Sequence, residues 1–115
     1  MRIALSPSGG QPTEQIRDQI RGLIATGGLA EGQRLPSVRQ LAQDLGVAPR
    51  TVAKAYKALE ESGALQTRVG SGTRVAEGAS ATPLTVLDAA RDLAVAARRE
   101  GMDVDEVQRV LRAIW

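Results

Sequence analysis

The chain has 115 residues, a formal charge of +2 and no Cys. That length admits one domain with at most a small appendage. Without Cys there is neither a disulfide framework nor a thiolate metal site. One Trp, one Tyr and no Phe leave a core to be built from aliphatic side chains. No apolar run approaches a membrane span and the N-terminus lacks a signal-peptide core, so a cytoplasmic protein with no membrane partner is expected. The charge is uneven. Residues 1–78 carry ten Lys/Arg against seven Asp/Glu, whereas residues 79–115 carry five against six. The basic excess is concentrated between Arg34 and Arg74, which reads as a polyanion-facing surface or as a solvated face.

Residues 1–11 contain Ser, Gly and Pro and read as a flexible N-terminal arm. A helical period starts at Pro12. Ile16, Ile20, Leu23 and Ile24 make one apolar stripe, and Gly27-Gly28 ends it. Leu29 and Leu35 anchor the connection that follows. Ser37, with Gln40 three positions on, has capping-box spacing and opens a second helix whose buried face is Val38, Leu41, Ala42 and Leu45. Gly46 suits the left-handed residue that closes a helix, and Val47 is free to tuck inward. Pro49 sits where a first helical residue needs no N–H partner. The third helix spans about Pro49 to Ser62, with Val52, Ala55, Tyr56 and Leu59 inward. Two β-prone runs, Leu65–Val69 and Thr73–Ala76, flank Gly70-Ser71-Gly72, which is a hairpin signal. Residues 77–82 (EGASAT) read as a linker. The tail, residues 83–115, is helical again: Thr82-Pro83 or Thr85/Asp88 caps one helix to Glu100, and Asp103/Glu106 caps a last one.

The segment from Leu35 to Val75 has the layout of a helix-turn-helix followed by a basic, glycine-tipped hairpin. In such a unit the first helix braces the second, and the second presents donors to base edges. Arg50, Thr51, Lys54 and Lys57 fall on the side of the third helix away from Val52, Tyr56 and Leu59. Taken singly these are ordinary surface charges; the ordered combination of turn, caps and hairpin points to double-stranded DNA. Tyr56 reads as a core aromatic or, through its hydroxyl, as a phosphate ligand.

The run EGQRLPSVRQLAQDLGVAPRTVAKAYKALEESGALQTRVGSGTRV resembles the winged helix-turn-helix of the GntR family of bacterial transcription regulators. The signature elements are LPS-x-R-x-LA, GV-x3-TV-x2-AY and G-x-G-T-x-V, and the likeness extends over about residues 11–76. It implies that the arginine of LPS-x-R, Arg39, contacts DNA. It places the start of the recognition helix on Ala48-Pro49-Arg50-Thr51, puts Lys54 one turn on, and puts the wing tip at Gly70. The DNA-contacting set it implies is Ser37, Arg39, Ala48, Pro49, Arg50, Thr51, Lys54, Tyr56, Arg68, Gly70 and Ser71. Many members have Ser or Thr and then Arg after the GV; here Ala48-Pro49 replaces both. Either Arg50 takes over that readout from the next position, or it does not and operator preference differs.

The chain after Ala76 is too short for a pocketed effector domain but long enough for two helices. In this it resembles the short YtrA-like branch, whose small helical tail makes the dimer. Leu87, Leu93, Ala97, Val107, Val110, Leu111 and Ile114 are then the interface residues. The alternative is a tail packed back on its own winged helix. The expected fold is mostly α with a small β-wing: a winged helix-turn-helix domain followed by a short two-helix dimerisation tail. The expected function is a homodimeric repressor on an inverted-repeat operator, which the resemblance makes a GT…AC-type palindrome. An architectural or protein-interaction module without sequence-specific readout is the competing class. An enzyme is not expected, because there is no His, no Cys and no glycine loop followed by Lys at a strand-to-helix junction. No cofactor and no metal are expected, and no effector is assigned.

Overall fold

The computed structural model describes residues 1–79 and 82–115. The chain divides into two compact units, Met1–Ala81 and Thr82–Trp115. In the first unit, α1 (Pro12–Thr26), α2 (Val38–Leu45) and α3 (Pro49–Glu61) precede a hairpin of β1 (Leu65–Arg68) and β2 (Gly72–Val75). The second unit holds α4 (Leu84–Arg99) and α5 (Val104–Ile114). Part of the linker expected at 77–82, namely Ser80 and Ala81, lies outside the described residues.

An aliphatic core holds the first unit together. Ile16, Ile20 and Ile24 from α1 meet Leu41 and Ala42 from α2 and Val52, Ala55, Tyr56 and Leu59 from α3. Leu29, Leu35, Leu65 and Val75 close it from the connections and the hairpin. The periods read from the sequence therefore mark the faces that pack, since residues three and four apart share one side of a helix. Gly46 ends α2 at φ +68°, a conformation costly for any residue with a Cβ. That reversal lets Val47 N–H donate to Ala42 O at 3.0 Å and redirects the chain into α3.

The hairpin pairs Leu65 with Val75, Gln66 with Arg74, Thr67 with Thr73 and Arg68 with Gly72. The first strand ends one residue short of its expected limit because Val69 enters the turn, and the second is shifted by one to Gly72–Val75, with Ala76 N–H still donating to Ala64 O at 3.0 Å. An unforeseen third segment completes the sheet. Leu35 N–H donates to Thr73 O and Val75 N–H to Gln33 O, both at 2.9 Å, so Arg34 becomes the bridge partner of Arg74.

Residues 1–11, expected as a mobile arm, are tethered along α1. Gln19 brackets Ala4, donating from Nε2 to its carbonyl at 2.7 Å and accepting its N–H at 3.0 Å. Gln15, buried, accepts Ser6 N–H and donates to Ser6 O and Gly10 O, each at 2.8 Å. These two glutamines tie the backbone of the arm to α1, and Ile3 and Leu5 pack against the core.

In the tail, α4 starts at Leu84 with Pro83 as its N-cap and no side-chain cap. The Thr85/Asp88 capping box does not form, because Thr85 already lies within the helix. The Asp103/Glu106 box does form: Glu106 N–H donates to Asp103 Oδ1 at 2.8 Å, and Asp103 N–H to Glu106 Oε1 at 3.2 Å. Met102 N–H donates to Ala97 O at 2.9 Å, setting the corner between the helices.

Candidate nucleic-acid interface

The outer face of α3 follows from its inner one. With Val52, Ala55, Tyr56 and Leu59 buried, Arg50, Lys54 and Lys57 are left exposed on the opposite side. Among the described residues the one ion pair is Arg17–Asp18, so these cations have no carboxylate partner. Ala48 is the N-cap and offers no side-chain acceptor, and Pro49 fills the first helical position. Thr51 is half-buried, and its carbonyl accepts the Thr13 hydroxyl at 3.0 Å, which ties the first turn of α3 to that of α1.

Ser37 and Arg39 stand at the start of α2. The Ser37 hydroxyl oxygen accepts Gln40 N–H at 3.1 Å and retains its own proton to donate outward. The return half of the capping box is absent, because the Gln40 side chain donates to Asp44 Oδ1 at 2.8 Å instead. Arg39 is exposed. Tyr56 corrects an expectation. It is 2% exposed, and its hydroxyl donates to Pro36 O at 2.7 Å. Burial pushes its pKa up to about 12, disfavouring the phenolate. The ring thus belongs to the core and not to the set of exposed phosphate ligands, and its hydroxyl fixes the Pro36-Ser37 turn onto α3.

Arg68, Gly70 and Ser71 lie at the end of the hairpin, with Ser71 N–H donating to Arg68 O at 3.1 Å. The Thr67 hydroxyl donates to Glu60 Oε1 at 2.6 Å and sits 3.1 Å from that of Thr73. This strut sets the angle of the wing against α3, and sequence reading missed it. Arg34, carried by the segment that pairs with β2, was missed as well; three paired residues are too few to show a period. A row of exposed donors on a helix braced from behind, next to a hairpin, is a geometry suited to duplex DNA.

The family model for bacterial regulatory proteins, gntR family, matches residues 12–75. The chain belongs to the GntR family. Within it the chain sits with the YtrA-type members. It is 33% identical to the HTH-type transcriptional repressor YtrA of Bacillus subtilis, over 97% of this chain and 91% of that one. Its fold matches YtrA from Sulfolobus acidocaldarius, a GntR-family transcription factor, with TM-score 0.57 and 36% identity over 83% of this chain and 96% of the other. It also matches AraR(DBD) in complex with operator ORX1, with TM-score 0.56 and 30% identity over 66% and 92%. This GntR protein is accordingly a DNA-binding transcription regulator.

The tail residues belong to the second unit. Leu93, Val110, Leu111 and Ile114 are exposed, and Leu87 and Val107 are half-buried. Ala97 corrects an expectation: it is 7% exposed, at the inner corner where its carbonyl accepts Met102 N–H, and so offers little surface to a partner. No helix among the described residues is long and apolar enough to cross a membrane.

Proposed function

We propose that this GntR regulator is a homodimeric repressor of an inverted-repeat operator. The observation that carries the DNA reading is the exposed face of α3, with Arg50, Lys54 and Lys57 uncompensated by carboxylates. Arg39 and the start of α3 read base edges in the major groove. Ala48 and Pro49, which have no long side chains, allow close approach there. Ser37, Thr51, Arg68 and Ser71 hold phosphates, and Gly70 lets wing backbone approach the minor groove. Phosphate contacts supply much of the affinity and make it fall with salt.

The tail supports the dimer. Val110, Leu111 and Ile114 are exposed on α5, a helix that buries none of its residues within the chain. An apolar stripe on so small a unit needs a covering surface, and a second copy gives a closed two-fold pair. Two-fold symmetry in the protein calls for two-fold symmetry in the site, with half-sites about one helical turn apart. Repression is carried over from the named role of the Bacillus subtilis relative.

The test is a fluorescence titration, at physiological salt, of a duplex recovered by selection from a random library against a scrambled duplex. Much tighter binding of the selected duplex is expected. Equal affinities would make the protein an architectural module.

A further inference from the structure

Three arginines share the outer face of the wing. Alternate residues of a strand point the same way. Leu65 and Val75 are buried, so Gln66, Arg68, Gly72 and Arg74 lie on the opposite face. Arg34, bridge partner of Arg74, joins them there. Like charges directly opposite in a sheet are unfavourable, and neither Arg34, Arg68 nor Arg74 has an ion pair among the described residues. Placing cations together on this face brings the fold no ion pair among the described residues.

The two bridged side chains then diverge. Arg74 Nη1 donates to Gly32 O at 3.2 Å, toward the base of the sheet. Arg34 runs the other way and lies over Gly72, where a side-chain carbon would stand 3.2 Å from its Nε and 3.3 Å from its Nη2. Gly72 also has φ +76°, a backbone conformation that disfavours a side chain, and the Arg34 guanidinium occupies the space above it. It is the cross-strand partner of Arg68. The Arg34 guanidinium is therefore seated near the distal end of the hairpin, on the same face as Arg68.

We propose that Arg34, delivered across Gly72, acts with Arg68 as a two-guanidinium contact for the DNA phosphate backbone beside the wing. This rests on the DNA-binding reading above and adds a residue from outside the hairpin and the helix-turn-helix. Planar guanidinium forks match phosphate oxygens, which neutralise the repulsion that the free protein carries.

The experiment measures affinity of the full chain for the selected and the scrambled duplex across a range of salt. R34Q is expected to flatten the slope of log affinity against log salt by about 0.9 per protomer and to weaken both duplexes by the same factor. R34K retains the slope, because the charge remains. R74Q also retains it, because that side chain is held toward Gly32. An unchanged slope in R34Q overturns the proposal. So does an equal loss in R74Q, which would mean a diffuse field, or a loss confined to the selected duplex, which would mean base reading in the groove. Wild-type protein that binds neither duplex would instead overturn the DNA-binding reading itself, and this contact with it.

Discussion

The hydroxyl of Tyr56 donates to the carbonyl oxygen of Pro36 at 2.7 Å, joining the recognition helix to the turn that delivers Arg39. One buried hydrogen bond thus sets two DNA-facing elements relative to each other. Tyr56→Phe keeps the ring and leaves Pro36 O without its donor. A loss of about 1–3 kcal/mol is expected in urea unfolding. Burial of the phenol adds a pH signature of its own. The folded pKa of about 12 lies above the ordinary value of 10.0, so the neutral phenol is favoured by folding. Its contribution is fully present below pH 10 and is lost as pH rises toward 12. Wild-type stability should fall across that window, and the Tyr56→Phe protein should lack that part of the fall. Identical pH profiles would contradict this assignment.

The recognition helix begins without a side-chain cap, because Ala48 occupies the N-cap position. Ala48→Ser supplies an acceptor for an N–H of the first turn. A gain of about 0.5–2 kcal/mol is expected, read as a higher urea midpoint with an unchanged denaturant slope. No gain would mean that the N–H groups of the first turn are already satisfied by solvent or, at Thr51, by the Ala48 carbonyl at 3.0 Å.

Arg39 is exposed and lies in the first turn of α2. Arg39→Ala should cost about 1–3 kcal/mol of affinity for the selected duplex if it pairs with a guanine edge. Competition with the scrambled duplex separates base reading from phosphate binding. An unchanged ratio of the two affinities would remove Arg39 from sequence choice.

Leu111 is 39% exposed on α5. Leu111→Asp adds charge to the apolar stripe, and a circular-dichroism spectrum like that of the wild type would show that the helices remain formed. Sedimentation should show the wild type as a dimer and the variant as a monomer. A variant that sediments as an intact dimer would show that this stripe is not the interface.

Much of this architecture was legible in the sequence because it rests on local chemistry. The isoleucine stripe of α1, Gly46 at the α2 terminus, Pro49 at the first position of α3 and the Asp103/Glu106 box each depend on a few neighbouring residues. The misses are long-range. Gln15 and Gln19 hold the arm by side-chain bonds to backbone 5 to 15 residues away, which no periodicity announces. Arg34 joins the wing through pairing with a strand 40 residues on, and Thr67 finds Glu60 across two elements. Tyr56 was open between two roles because a helical period shows which way a ring points but not where its hydroxyl ends. In the candidate interface, the outward face of α3 could be read by elimination, since its apolar partners were plain. The second glycine of the wing, Gly72, read only as a turn residue until Arg34 was seen lying over it.

The central claim is that the outward side of α3, with Arg39 beside it, recognises a two-fold DNA site. Selection of bound duplexes from a fully random library tests it most directly. The account predicts enrichment of an inverted repeat whose half-sites are about 10 base pairs apart. Recovery of duplexes with no shared sequence, or of a single unrepeated element, would contradict it.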